Sequence, residues 1–525
     1  MKKFKIIRTA LRPGCRSLLL PLCVLVCTLS CDFFPRENPD DPKSGSYSPS
    51  REIVVKVDAL TVPGGGAYDF GNKYLDSTTE VQFRIQNSGA DTVELTGTPL
   101  VTIGGNHPSC FTVTDMPDAS IAPGASTNFI LAFATDTSGL KEALVTIEYG
   151  TQGQAFSFTV QGTGSGICVV DSGMDVGSHS SIAVSGSGIY IAYRDENNDK
   201  LKFARSTDSG ATWPAENILV VGEDDDVGTY ASIFAEGGSV YISYYQLVSG
   251  GYADTWINFT KSTDYGVTWP AGNIRNVADI SWDGLYSSVA GSGSTVLLSY
   301  YNDVSDVLHC IRSTDSGDTW LSGNDITVDA TGNTGTYNDI VICGSCACIS
   351  YYDVTNSSLK CAVSADTGAS WSAENIRTVD ATGTVGEFTS IGAYETHVYI
   401  SYYDRTNGAL KFARSTDNGA TWPDEGSLPV IDGEGDTGQY TSLAVDGATL
   451  YISYYDVTNG DLKFARSDDS GATWPPANLR VVDSSGEVGK YCSIDCSGDN
   501  VYISYYNDTV NKLKFARSKD RGDTW

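Results

Sequence analysis

Thirty tyrosines against four histidines and three methionines bound the chemistry open to this 525-residue chain. Two aromatic series recur along its C-terminal two-thirds. One stands shortly after a glycine and comprises His179, Tyr230, Tyr286, Tyr337, Phe388, Tyr440 and Tyr491. The other comprises Tyr193, Tyr245, Tyr301, Tyr352, Tyr403, Tyr455 and Tyr506. Its members are followed by Arg194, Gln246, Asn302, Asp353, Asp404, Asp456 and Asn507. Aromatic faces cover the apolar C–H patches of sugars, and carboxylates and amides meet their hydroxyls, so the two series together suit glycan recognition. A tyrosine repeated in every unit also suits packing between units, with its hydroxyl satisfied near the rim. Both readings stand.

Other chemistries have less to work with. Four histidines leave little room for histidine-based catalysis, and no DxDxDG spacing points to calcium. Cys343-Gly344-Ser345-Cys346 has the CxxC form, yet no second pair or nearby histidine completes a zinc set. A hairpin tip with local substitution or a cross-strand disulfide explains it better. No metal and no cofactor are expected. Arg205, Arg312, Arg414, Arg466 and Arg517 recur at one repeat position, whereas Arg194 and Arg405 stand near the aromatic series. A net charge of −30 argues against nucleic acid as a partner.

The elements that must position these residues are written in a repeat. The pattern SxDxGxxW occurs seven times, with its aspartates at Asp208, Asp264, Asp315, Asp366, Asp417, Asp469 and Asp520, spaced by 56, 51, 51, 51, 52 and 51 residues. A carboxylate at a turn accepts backbone N–H groups, glycine takes the angles a tight turn demands, and tryptophan plugs an apolar gap. Each copy reads as four strands. In the sixth these are 440–445, 450–455, 462–466 and 479–483, the box joining the third to the fourth. The last box ends at Trp525, so the seventh unit lacks its own fourth strand. Ile167-Cys168-Val169-Val170-Asp171 has the fourth-strand pattern and stands before the first unit. A ring closed by that N-terminal strand satisfies both edges; the alternative is a truncated chain whose missing tail would complete the fold.

The seven boxes resemble the Asp-box, or BNR, repeat of sialidase-like β-propellers, over residues 167–525. That resemblance implies that the box aspartates are structural and lie on the face opposite the binding face. It also implies what sialidase activity would need: three arginines clamping a carboxylate, a tyrosine nucleophile with its glutamate, and an aspartate handling the proton. The recurrent arginines stand beside the boxes instead. Phe83-Arg84-Ile85-Gln86 imitates the family's Phe-Arg-Ile-Pro motif but lacks the proline and lies outside the repeats. The second repeat is longer, with an insertion over Gln246 to Trp256 that includes Gly250-Gly251-Tyr252.

Residues 51–164 alternate apolar and polar positions between turn signals, as a β-sandwich does. Tyr68-Asp69-Phe70-Gly71, Ile85-Gln86-Asn87-Ser88-Gly89 and Ile121-Ala122-Pro123-Gly124 resemble immunoglobulin-like domains of the abnormal-spindle/Hydin type, which act as spacers or binding modules. Residues 161–166 read as a short hinge. At the N-terminus six basic residues precede an apolar run from Leu18 to Leu29, the form of a signal peptide over 1–30. Thr28-Leu29-Ser30-Cys31 resembles a bacterial lipobox with Cys31 as the lipidated residue, and 31–50 is a Pro- and Ser-rich tether. Without the leader the net charge becomes −36.

The expectation is an all-β chain in which an immunoglobulin-like sandwich carries a seven-bladed propeller closed by an N-terminal outer strand. It would be exported, lipid-anchored to the bacterial cell envelope, monomeric and non-catalytic, binding a glycan or an envelope or host protein. The alternatives are an exo-acting glycoside hydrolase of sialidase type and a purely structural envelope component.

Overall fold

The computed structural model describes residues 53–151, 153–222, 226–248, 254–279 and 286–525. The leader, Cys31, the tether, Gly250-Gly251-Tyr252 and Trp282 lie outside the described residues.

The N-terminal domain is a sandwich of two sheets. One orders Leu60–Val62, Ile53–Val57, Thr78–Asn87, Ser126–Ala134 and Phe111–Asp115; the other orders Ala67–Tyr74, Gln154–Ser165, Gly139–Tyr149 and Val101–Gly104. Alternation sorts the side chains. Phe83 and Ile85 are fully buried while Gln82 and Arg84 between and beside them face solvent. Phe83 stacks on Phe129 at 5.1 Å in a core rich in phenylalanine. The Phe-Arg-Ile stretch is therefore sandwich core, and Arg84 lies opposite Asn128 on its neighbouring strand.

The hinge expected over 161–166 is instead sheet. Gln154–Ser165 runs straight through it, paired in parallel with Ala67–Tyr74 as far as Ser165↔Tyr74. Arg517, from the last propeller strand, is only 2% exposed and fixes the junction. Its guanidinium donates to Leu75 O (3.2 Å) and Asp76 Oδ2 (2.9 Å) and lies over the Tyr74 ring. The Tyr74 hydroxyl in turn donates to Gly210 O at 2.7 Å.

Seven four-stranded antiparallel sheets follow, and in six of them each strand pairs with the next in sequence. We number these blades 1 to 7 along the chain. Blade 1 comprises Val176–Ser185, Gly188–Asp195, Lys200–Ser206 and Ile218–Gly222. The seventh comprises Val488–Ser497, Asn500–Asn507 and Lys512–Ser518, and its fourth strand is Ile167–Asp171. The closing register (Ile167↔Ala516, Cys168↔Phe515, Asp171↔Leu513) reproduces that of an ordinary blade such as the sixth (Leu479↔Ala465, Phe464↔Arg480, Leu462↔Asp483). Gly344-Ser345 is indeed a hairpin tip, closed by the pair Cys343↔Cys346.

Three devices lock neighbouring blades. In the boxes, Ser206 Oγ donates to Asp208 Oδ1 (2.7 Å), and Asp208 accepts from both Thr212 N (2.9 Å) and Thr212 Oγ1 (2.6 Å). The same bonds recur in all seven copies, the serine bond at 2.6–2.8 Å. These bonds hold the Asp264 carboxyl at about 2, well below the usual range. The box glycine is required twice over: Gly210 has φ 78°, and a Cβ there would stand 2.7 Å from the Phe515 ring of the preceding blade. Trp213 packs edge-on against that same ring at 5.0 Å.

The second device lies near the other end. Asp483, ending the fourth strand of blade 6, accepts from the Tyr505 hydroxyl (2.7 Å) and from Lys514 of blade 7. Equivalent trios are Asp171–Tyr193–Lys202, Asp329–Tyr351–Lys360, Asp380–Tyr402–Lys411 and Asp432–Tyr454–Lys463. The first joins the closing strand to blade 1, so closure uses the same clasp as the ordinary joints. Burial opposes ionisation of Asp171, but bonds from Lys202 and Tyr193 outweigh it and lower the carboxyl. The third device encircles the inner strands: a side-chain oxygen in each blade accepts the backbone N–H of the next. Ser442 serves Ile494, Ser493 closes the circle onto Ile182, and Asp339 takes the serine's place in blade 4.

Candidate functional site

The inner strand of each blade runs away from the end of the propeller where the second-to-third-strand turns lie, and the boxes occupy the opposite end. The first aromatic series sits at the former end, within the inner strand in six blades and, as Tyr286, just before it in blade 3. In six blades the register against the second strand shifts on both sides of the residue before the aromatic one, as between Thr437/Gln439 and Gln439/Ser442, and the aromatic residue lies in the second shift, in a bulge. All seven aromatic residues have left-handed backbones, with φ between 50° and 63°. Bulky side chains there cost about 1–3 kcal/mol each, a strain that persists only where surroundings impose it. The preceding glycine shows how. Gly177 has φ 112°, and a Cβ there would stand 2.6 Å from Leu513 Cα of the preceding blade. Blade contact fixes the glycine, and the bulge turns the next-but-one side chain toward the axis.

The seven rings close a circle. Successive centroids from His179 through Tyr230, Tyr286, Tyr337, Phe388, Tyr440 and Tyr491 back to His179 stand 4.4–4.8 Å apart. They surround a cavity of about 210 Å³ whose floor is the next residue of each strand, including Ser180, Ser287, Asn338 and Thr389. Each ring residue is half-buried. The Tyr286 hydroxyl interacts with those of Tyr230 and Tyr337, and burial raises its pKa above the usual tyrosine value. Burial likewise lowers His179 to about 4, with Glu196 opposing and Arg194 adding to the effect. The lining is thus uncharged at neutral pH.

The second series divides, and the sequence reading needs correction at its first member. Strand pairing aligns Arg194, not Tyr193, with Tyr455: Arg194 pairs with Leu201 as Tyr455 does with Leu462. Tyr193 belongs to the buried clasp, its hydroxyl donating to Asp171 at 2.7 Å. The remaining tyrosines form an outer circle, with Tyr352, Tyr403, Tyr455 and Tyr506 touching Tyr337, Phe388, Tyr440 and Tyr491 edge-on at 6.2–6.5 Å. Tyr403, Tyr455 and Tyr506 donate to Asp436, Glu487 and Asp175 of the next blade at 2.6–2.7 Å. Burial and that carboxylate raise Tyr403 to about 12.

Asp353, Asp404 and Asp456 are withdrawn from the ligand set. All are at most 1% exposed. Each caps its own turn, as Asp404 does by accepting Asn407 N (3.0 Å) and Nδ2 (2.8 Å), and each faces the clasp lysine. Arg194 is also spent: Nε binds Glu196 (2.8 Å), Nη1 binds Val227 O (3.0 Å), and Nη2 binds Asp199 (2.7 Å) and Asp226 (2.9 Å). Arg405 alone among the candidate arginines is exposed, at 66% of its side chain, with Nη1 on Glu387 at 3.0 Å. The recurrent arginines lie at the box end, where Arg414 donates to Ser470 O and Arg466 to Arg521 O.

The clasp itself was missed in the sequence. Its signal is a fixed offset: aspartate, tyrosine 22 residues later and lysine 31 residues later, five times over. The outer-circle carboxylates left a weaker trace, because aspartate, glutamate and asparagine alternate there.

No family model matches the chain, and no curated protein does. Solved structures similar to it include the Hadza microbial sialidase Hz136, at 14% identity and TM-score 0.44, covering 89% of this chain and 99% of that one. Another is a Penicillium chrysogenum α-L-arabinanase complexed with arabinobiose, at 12% identity and TM-score 0.39, covering 67% and 98%. The ASH/PapD-like domain of human CEP192 matches 26% of this chain over 96% of its own length, at 12% identity and TM-score 0.17. The fold is a sandwich followed by a seven-bladed β-propeller, and it stands on the strand pairing itself.

Proposed function

We propose that this chain is an exported, lipid-anchored envelope protein that binds a glycan at the ringed mouth of its propeller without cleaving it. The closed circle of seven aromatic residues carries this reading, since each keeps a bulky side chain at a left-handed position that glycine would fill without strain. The exposed aromatic edges and the hydroxyl and amide floor supply apolar and polar partners for a sugar. Catalysis of the sialidase type wants an arginine cluster and an activated tyrosine. Arg194 already holds three carboxylates and a backbone carbonyl, and the mouth tyrosines titrate above their ordinary value.

A glycan array probed with the mature chain and with Phe388→Ala and Tyr440→Ala variants tests the reading. Specific signals lost in both variants are expected. A silent array beside specific capture of an envelope or host protein would overturn it. Among the described residues the hydrolase alternative would sit at Tyr337, beside Glu387 and Arg405. A fluorogenic sialoside should show no turnover; turnover lost in Arg405→Ala would establish it. For the anchor, labelled palmitate should enter the wild type and not Cys31→Ala.

A further inference from the structure

We infer that the sugar taken at this mouth carries a protonated amine: a hexosamine residue without its N-acetyl group. The inference rests on the glycan-binding reading and adds the sign of the ligand's charge.

The balance of charge at the mouth carries the argument. Three basic groups are already matched, Arg194 by Glu196, Arg405 by Glu387 at 3.0 Å, and Lys490 by Asp508 at 2.6 Å, while Lys512 donates only to the backbone carbonyls of Ser172 and Gly173. Four further carboxylates, those of Asp175, Asp306, Asp436 and Glu487, accept the outer-circle hydroxyls of Tyr506, Tyr301, Tyr403 and Tyr455. None of these four is paired with a cation among the described residues. The mouth therefore holds surplus negative charge around a ring of aromatic groups, and His179, neutral through burial, adds nothing positive to it.

Aromatic faces backed by carboxylates attract cations, by about 0.5–2 kcal/mol for each well-placed ring. The chain supplies its own example. The Lys490 ammonium lies 5.9 Å from the centroid of the Tyr455 ring while bonded to Asp508, and the Tyr455 hydroxyl donates to Glu487. An ammonium is thus already held at this mouth by one aromatic face and one carboxylate. A cavity of about 210 Å³ has room for the amine-bearing end of one sugar residue. An anionic sugar would meet the opposite: four unmatched carboxylates, and no arginine whose charge is not already taken.

The test is calorimetric titration of the mature chain, at pH 6 and low salt, with three probes: a glucosamine tetramer, the N-acetylglucosamine tetramer and sialyllactose. The glucosamine tetramer should bind at least tenfold tighter than the other two, and should lose that advantage in 0.5 M salt. Asp436→Asn combined with Glu487→Gln removes two charges but keeps acceptors for the Tyr403 and Tyr455 hydroxyls. It should narrow the preference to within twofold. If that chain does not fold, Asp306→Asn on the far side of the ring replaces it and should halve the preference or more. Equal or tighter binding of the acetylated tetramer or of sialyllactose overturns the amine and leaves glycan binding intact. A preference that survives charge removal does the same. Silence with all three probes overturns both.

Discussion

The two ends of the propeller use the same sevenfold repetition in opposite ways. At the box end, copies are nearly interchangeable: the serine-to-aspartate bond stays within 2.6–2.8 Å in every blade, and box side chains are spent on their own turn or on the preceding blade. At the mouth the backbone repeats but the side chains do not. The residue between glycine and aromatic is Ser178, Thr229, Thr336, Glu387, Gln439 and Lys490 in successive described copies, and the ring itself admits a histidine and a phenylalanine. Each end has a left-handed non-glycine residue in every copy; at the box its type varies, as with Ser209, Tyr265 and Arg521, whereas at the mouth it is always aromatic. One end is built to close the circle, the other to present different groups from a common frame.

The largest expected effect comes from opening that circle. A chain beginning at Ser172 lacks the closing strand and exposes the edge of Lys512–Ser518. It should aggregate and lose a cooperative thermal transition, whereas a chain beginning at Gly166 keeps one. Next, Trp474→Ala at the box removes a ring packed edge-on against Phe412 at 5.1 Å. It should cost about 3 kcal/mol in denaturant unfolding while leaving ligand affinity at the mouth unchanged.

A pH effect of similar size separates the ends further. His179 titrates near 4 in the fold and near 6.5 when unfolded, so the unfolded chain binds the extra proton between those values. Stability should be fully present above pH 6.5 and fall by roughly 2–3 kcal/mol as pH drops to 4. His179→Phe should remove that component, seen as the difference between the two stability profiles. The lowered box carboxylates act later: their contribution is present above about pH 4 and is lost as pH falls toward 2. The smallest effect on stability is expected for Tyr440→Gly. Lost ring packing is offset by relief of a left-handed backbone, so unfolding should shift by within about 1 kcal/mol. Glycan affinity should nevertheless drop more than tenfold. A large loss of stability instead would place the ring with the boxes, as a closing device.

Much of this was legible before any coordinates. The SxDxGxxW spacing marks the blades, and the fourth strand expected at 479–483 is the strand observed. Ile167–Asp171 could be recognised as the closing strand because it carries the pattern that the last blade lacks. The seven ring residues could be picked out because each follows a glycine at fixed spacing. The failures have distinct physical origins. Tyr193 and Arg194 were taken one position out of register, and in a strand a single step moves a side chain to the other face. Asp353, Asp404 and Asp456 looked available because a residue after a tyrosine at a turn looks exposed, yet their carboxylates turn inward to cap the hairpin. The hinge over 161–166 was read from its glycines, but Gly162 lies against the Phe133 ring and Gly164 against Thr137 O, so these glycines permit packing, not motion.

What the sequence determined by itself is everything set by local period: strands, turns, boxes, blade number and the strand that closes the ring. Those features depend on spacing within one repeat, and repetition makes spacing visible. Only the tertiary structure decided which tyrosines meet the axis, which are clasped between blades, and which charges at the mouth are left unmatched. Those outcomes depend on contacts with the next blade, and in the closing joint between residues more than 300 positions apart, such as Tyr506 and Asp175. A bulge of one residue then sets the direction of each ring. Chain order carries the repeat, but the sign of the mouth's charge exists only once seven blades have brought their turns together.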